Sequence, residues 1–218
     1  MRINNRMIYL SPLAVFNLLN PVRMKTFFTV ALALITGSGA VAQSPKIENF
    51  SLPDAVTGKS VALNDYAKSV GVVLVFTSNH CAYAKLYEDR LLELARQYQA
   101  QGVQFLFINP NTSLDHIDDS VEEMSKRAQE KKYPSPYLAD KEHKAAGLFR
   151  ATKTPEVFVL GNTGGVFTLK YHGAIDDNPQ MAGEVKTAYL KGALDALVGK
   201  RNPAQSEVRP TGCMIHRE

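Results

Sequence analysis

The chain has 218 residues, 45% of them hydrophobic and 21% charged, with a formal net charge of +4. Arg2, Arg6, Arg23 and Lys25 are the only charged residues among the first 42, so residues 43–218 carry no net formal charge. That balance argues against a nucleic-acid partner or an anionic membrane surface, because no net positive field remains to attract either.

Met24-Lys25-Thr26 opens a short basic region, and Phe27 to Ile35 follows as an almost unbroken apolar run. Small residues then lead to Ala40-Val41-Ala42, an A-x-A pattern that predicts cleavage after Ala42. The apolar run is too short to span a bilayer, so residues 1–42 read as a leader with a secretory signal peptide, and Met24 is an alternative start. The expected location is periplasmic or secreted, with no membrane insertion after cleavage. No cysteine follows the cleavage site, which speaks against a lipid anchor. Residues 43–200 are long enough for one well-packed domain, and 201–218 form a polar C-terminal tail.

Residues 44–70 include an expected hairpin around Asp54-Ala55-Val56-Thr57-Gly58-Lys59. Val70 to Phe76 is an apolar, β-branched run that reads as a buried strand. A polar turn, Thr77-Ser78-Asn79-His80, leads to Cys81 and a helix over 82–100, with Leu86, Leu91, Leu94 and Tyr98 at helical spacing. Gly102 ends that helix, and Val103 to Ile108 reads as a second buried strand. Two strands joined by a helix form a βαβ unit with parallel pairing and a right-handed crossover. Asn109-Pro110-Asn111 breaks the strand before a helix near 120–132. Pro136 to Ala139 is short and extended, and a helix follows near 142–149. Pro155 to Leu160, the Asn162-Thr163-Gly164-Gly165 turn and Val166 to Tyr171 form a hairpin. A last helix is expected over 183–198.

Cys81 stands at the strand-to-helix corner, where unpaired amide donors and the helix dipole favour an anion. Helix N-termini lower thiol pKa values, and the thiolate is the nucleophile. Cys213 is the other of the two cysteines. In an oxidising compartment they allow one disulfide, with two readings. As a staple it would close a long loop, worth about 4–5 kcal/mol in the chain-entropy model. As a redox pair, Cys81 attacks and Cys213, swinging in on a flexible tail, resolves. His80 also has two readings, as a proton donor or thiolate stabiliser beside Cys81, or as a polar turn residue. Asn79 is a candidate helix cap. Lys85 shares a helical face with Cys81, as a thiolate-stabilising charge or as a solvated lysine. Glu88, Asp89 and Arg90 read as surface pairs or as a brace for the helix.

The order βαβ, helix, hairpin, helix resembles the thioredoxin fold, an α/β architecture with a central mixed sheet flanked by helices, here with an N-terminal extension and a C-terminal tail. Asn79-His80-Cys81-Ala82-Tyr83-Ala84-Lys85, Tyr87-Glu88-Asp89-Arg90-Leu91, Ile108-Asn109-Pro110-Asn111, Thr154-Pro155-Glu156-Val157, Tyr171 to Asn178 and Thr211-Gly212-Cys213 are similar to a peroxiredoxin-like branch of that superfamily, the redoxin or alkyl hydroperoxide reductase–thiol-specific antioxidant proteins. The resemblance implies that Pro155 is cis and that the backbone of Thr154 pairs with an extended thiol substrate. Two departures matter. Ala84 replaces the second cysteine of the thioredoxin C-x-x-C, and Cys81 stands where peroxiredoxins carry a threonine.

Cysteine at the first of those positions is the usual attacking sulfur in exchange. The expected activity is therefore thiol–disulfide oxidoreduction by Cys81 and Cys213, with His80 assisting and Thr154 and Pro155 positioning substrate. Partners are a protein or small-molecule thiol or disulfide, and no cofactor is called for. The alternative enzyme is an atypical, antioxidant thiol peroxidase that takes peroxide, Cys81 becoming a sulfenic acid that Cys213 captures. A non-catalytic alternative would gather Cys81, His80, His172, Cys213 and His216 around copper, although no short-spaced ligand pair supports a metal.

Overall fold

The computed structural model describes residues 45–112 and 116–216. The leader, the expected cleavage after Ala42 and the alternative start at Met24 lie outside the described residues. Strands β1 (Ser51–Pro53) and β2 (Ser60–Ala62) form the expected hairpin around residues 54–59. Then come β3 (Gly71–Phe76), α1 (Ala82–Gln99) and β4 (Val103–Asn109). After them lie α2 (Val121–Glu130), β5 (Tyr137–Ala139), α3 (Lys144–Phe149) and β6 (Lys153–Thr154). The hairpin β7 (Glu156–Thr163) and β8 (Val166–Gly173) precedes α4 (Tyr189–Val198), β9 (Glu207–Val208) and β10 (Cys213–Met214).

The main sheet runs β5-β4-β3-β7-β8-β9. The β3–β4, β4–β5 and β8–β9 pairs are parallel, whereas β3–β7 and β7–β8 are antiparallel. Every residue of β3 is buried because helices or loops cover both faces, which is why its sequence is continuously apolar instead of alternating. Val73, Val75, Phe105, Phe107, Val157 and Val159 join one core with Leu91, Leu92 and Tyr98 of α1 and Leu190 and Leu194 of α4. The alternate residues Val72, Leu74, Phe76, Leu106, Ile108 and Phe158 join a second core with Phe50, Ala145, Phe149 and Ile215. Each fully buried Val, Leu, Ile or Phe side chain among them stabilises the fold by about 1.5–3 kcal/mol. Gly164 and Gly165, both at positive φ, form the two-residue turn between β7 and β8, matching the twist of the strands they join.

Three expectations change. Leu86 is exposed, and the buried face of α1 is carried by Ala84, Tyr87, Leu91, Leu92, Ala95 and Tyr98. Tyr87 can be buried because its hydroxyl donates to Asp176 Oδ1 at 2.8 Å. The last helix starts at Tyr189, since residues 182–184 make only a 3-10 turn. Asp177 fixes the intervening segment, its carboxylate accepting from Lys186 N–H at 3.0 Å and Thr187 N–H at 3.1 Å. Finally, the tail is docked rather than loose. It pairs β9 with β8 and β10 with β6, and Ile215 is buried in the second core.

Candidate active site

β3 ends at Phe76, and the turn that follows is held by one carboxylate. Asp119, 1% exposed, accepts from Ser78 Oγ at 2.8 Å, Asn79 N–H at 2.7 Å, His80 N–H at 3.4 Å and Asn109 Nδ2 at 2.8 Å. Ser78 Oγ accepts in turn from Cys81 N–H at 3.2 Å. Asn79 does not cap the helix as expected. Its side chain accepts from Tyr137 Oη at 2.9 Å and donates to Asp118 O at 2.9 Å. Burial, ahead of nearby charges, pushes the Tyr137 phenol well above the usual tyrosine range, so it stays a donor to Asn79.

Cys81 is itself the cap of α1, its Sγ accepting from Ala84 N–H at 3.4 Å. The residue that replaces the second thiol of a C-x-x-C thus contributes its amide instead. In the reduced protein this amide and the helix dipole favour a thiolate. Thr154 O lies 2.9 Å from Sγ on the other side. A protonated thiol would donate to that carbonyl, whereas a thiolate would be repelled by it.

Cys81 is bonded to Cys213 across 132 residues of sequence, with the Cα atoms 5.9 Å apart. Cys213 lies opposite Thr154 in the β10–β6 ladder, and Met214 lies opposite Lys153. The Thr154–Pro155 peptide bond is cis, as the resemblance implied. Glu156 holds the approach to it, accepting from Thr152 N–H at 2.7 Å and Lys153 N–H at 3.0 Å. Thr154 is fully buried, and its Oγ1 has no hydrogen-bond partner among the described residues.

Of the expected site residues, Cys81, Cys213, Thr154 and Pro155 come together. His80 is on the rim. Its ring stacks on His116 with centroids 3.6 Å apart, and its Nδ1 faces Asp118 Oδ2 at 3.8 Å. Lys85 is exposed. Glu88 is not a surface residue. It is buried and held by Arg127 at 2.7 and 2.8 Å and by Tyr133 Oη at 2.8 Å, while Arg90 reaches Asp176 at 2.6 Å. The copper-ligand set is not assembled. His172 Nε2 is 3.4 Å from Glu207, and among the described residues no three His, Cys, Asp or Glu side chains are placed to hold a metal. Asp119 and Glu156 were missed from sequence. Asp119 lies near the Cys81 motif in space but not in sequence. Glu156 sits in the Thr154-Pro155-Glu156-Val157 motif itself, and its place after Pro155 was the available signal.

A mixed sheet with a helix-start cysteine facing a cis-proline loop defines a thioredoxin-like protein. The chain matches the AhpC/TSA family over residues 44–172, and it belongs to that family. It is similar to the crystal structure of an uncharacterized conserved protein from Geobacillus kaustophilus, at 31% identity and TM-score 0.73, covering 80% of this chain and 92% of that one. A hypothetical protein from Sinorhizobium meliloti is similar at 28% identity and TM-score 0.72, with coverage of 81% and 94%. Peroxidoxin BcpB from Mycobacterium tuberculosis shares the fold, at 19% identity, TM-score 0.55 and coverage of 73% and 97%. No curated protein matches the chain.

Proposed function

We propose that the protein is a periplasmic or secreted thiol–disulfide oxidoreductase that works through Cys81 and Cys213. The observation that carries this reading is the bond between a helix-capping cysteine and a tail cysteine docked against the cis-proline loop. A staple needs neither the amide of Ala84 at the sulfur nor the cis-proline loop opposite.

In the reducing direction, the Cys81 thiolate attacks one sulfur of a substrate disulfide. A mixed disulfide forms, and the other substrate sulfur leaves as a thiolate that takes up a proton. Cys213 then loses its proton and attacks Cys81 Sγ, forming the Cys81–Cys213 bond and releasing the second substrate thiolate. Two electrons pass from the protein dithiol to the substrate, and an external thiol reductant returns them. Ala84 stands at the position of the peroxidatic cysteine and Cys81 at that of the threonine three residues earlier. The latter is the position of the attacking sulfur in exchange, which favours exchange over peroxide reduction. His80, on the rim beside His116, serves as a proton donor to departing sulfur.

The test is turnover of a small aromatic disulfide and of hydrogen peroxide, each with excess thiol reductant. The reading expects disulfide turnover that is lost in Cys81→Ser and peroxide consumption no faster than that of the variant. Saturable peroxide consumption requiring Cys81 would instead favour the peroxidase.

A further inference from the structure

The tail does more than deliver a sulfur. It lies as a strand on the edge of β6, in a fixed register, and three of its positions meet the protein differently. At Gly212 a Cβ would stand 2.3 Å from Thr154 O and 3.0 Å from Pro155 N, both backbone atoms that no rotamer change can move aside. Met214, one residue after the cysteine, is 55% exposed. Ile215, two residues after, is 6% exposed within the second core, and its N–H donates to Thr152 O at 3.0 Å. The groove therefore admits no side chain before the cysteine, ignores the residue after it, and buries an aliphatic group at the next.

On the exchange reading above, in which the Thr154 edge receives the substrate, we propose that this groove selects an extended polypeptide disulfide of the form Gly-Cys-x-aliphatic. The tail is its internal mimic. Substrate and tail cannot pair with Thr154 at the same time, so a substrate enters only when the reduced tail leaves the β6 edge. Once the mixed disulfide has formed, the returning tail brings Cys213 to Cys81 Sγ and displaces the substrate strand as its sulfur departs. No bond or electron is added to the cycle already given. The ladder that aligns the resolving thiol is the one that expels the product. Strand addition at a sheet edge, with backbone pairing for affinity and pockets for selectivity, is an established way to bind extended peptides.

The test uses reduced full-length Cys213→Ser, in which Cys81 is the only thiol. The probes are peptides of sequence 209–216 whose cysteine carries a thionitrobenzoate disulfide, in the parent form and with changes equivalent to Gly212→Val, Met214→Ser and Ile215→Ser. The thionitrobenzoate disulfide of glutathione is the generic probe. The proposal expects the parent and Met214→Ser peptides to react alike, and the Gly212→Val and Ile215→Ser peptides about tenfold more slowly. The same ranking should hold, at higher overall rates, in Gly212→Val/Cys213→Ser, where the protein's own tail fits poorly. Should that double variant lose its fold by circular dichroism, the ranking is read in reduced wild type instead. Equal rates for all peptides and for glutathione would overturn this selectivity while leaving exchange intact. No reaction with any probe would remove the exchange reading itself.

Discussion

Asp119 and Ser78 lie 41 residues apart in sequence and are joined by a 2.8 Å hydrogen bond. Through Ser78, whose Oγ accepts from Cys81 N–H, the carboxylate fixes the backbone that presents the sulfur. Asp119→Asn keeps the shape but turns one acceptor into a donor facing N–H and O–H groups. The expected loss is about 1–3 kcal/mol of stability, from buried donors left without a partner. Disulfide exchange should slow by about tenfold to a hundredfold, because the reacting sulfur is misplaced. Stopped-flow alkylation of Cys81 in the folded variant checks this, and an unchanged rate would place Asp119 outside the site's positioning network.

Glu156 does for the other wall what Asp119 does for the first. Its buried carboxylate accepts the amides of Thr152 and Lys153, which set the edge used by the tail. Glu156→Ala is expected to cost about 1–3 kcal/mol in chemical unfolding. It should also loosen the tail, seen as faster amide exchange at Ile215. Stability loss with an unchanged tail would mean that the carboxylate braces the core alone.

Much of this was legible in the sequence, for identifiable reasons. The strands read correctly because β3 and β4 are buried on both faces, and the hairpin because Gly164-Gly165 meets a demand of turn geometry. Cys81 was visible because a helix start announces itself locally. What the sequence hid was pairing across distance. Asp119 is an ordinary acid until the fold brings the Ser78–Asn79 turn to it. Glu156 pairs locally, and what the sequence hides there is only that its carboxylate turns back to the amides of Thr152 and Lys153. The tail strands are two residues each, too short for any periodicity. Leu86 misled for a related reason, since Tyr87 gains burial through a carboxylate 89 residues away.

Thr154 offers a separate check. Its backbone faces both cysteines, yet its buried Oγ1 has no partner among the described residues. An unpaired buried hydroxyl costs stability, so Thr154→Val should leave the protein unchanged or raise its stability by about 1 kcal/mol. Exchange should continue, since the carbonyl and N–H remain. A fall of more than about 2 kcal/mol in thermal unfolding would show that the hydroxyl is engaged.

Acid stability should report on Asp195. Burial alone would raise its pKa, but hydrogen bonds from Lys191 and Tyr98, with the charges of Lys191 and Arg201, bring it below the usual carboxylate value. A carboxylate depressed in the folded state stabilises above its unfolded value, near about pH 4, and loses that contribution as pH falls through the folded value. Wild type should therefore exceed Asp195→Asn in stability at neutral pH, the gap closing below about pH 4. A gap that stays constant down to pH 2 would assign the difference to packing.

Whether the Cys81–Cys213 bond works as a redox bond is read most directly by differential alkylation with mass spectrometry. The folded protein is labelled as purified, after a dithiol reductant, and after a mild disulfide challenge. A working redox bond is present at first, is opened by reductant without unfolding, and is re-formed by the challenge. A bond that opens only in denaturant, or thiols that stay free throughout, would contradict a redox role.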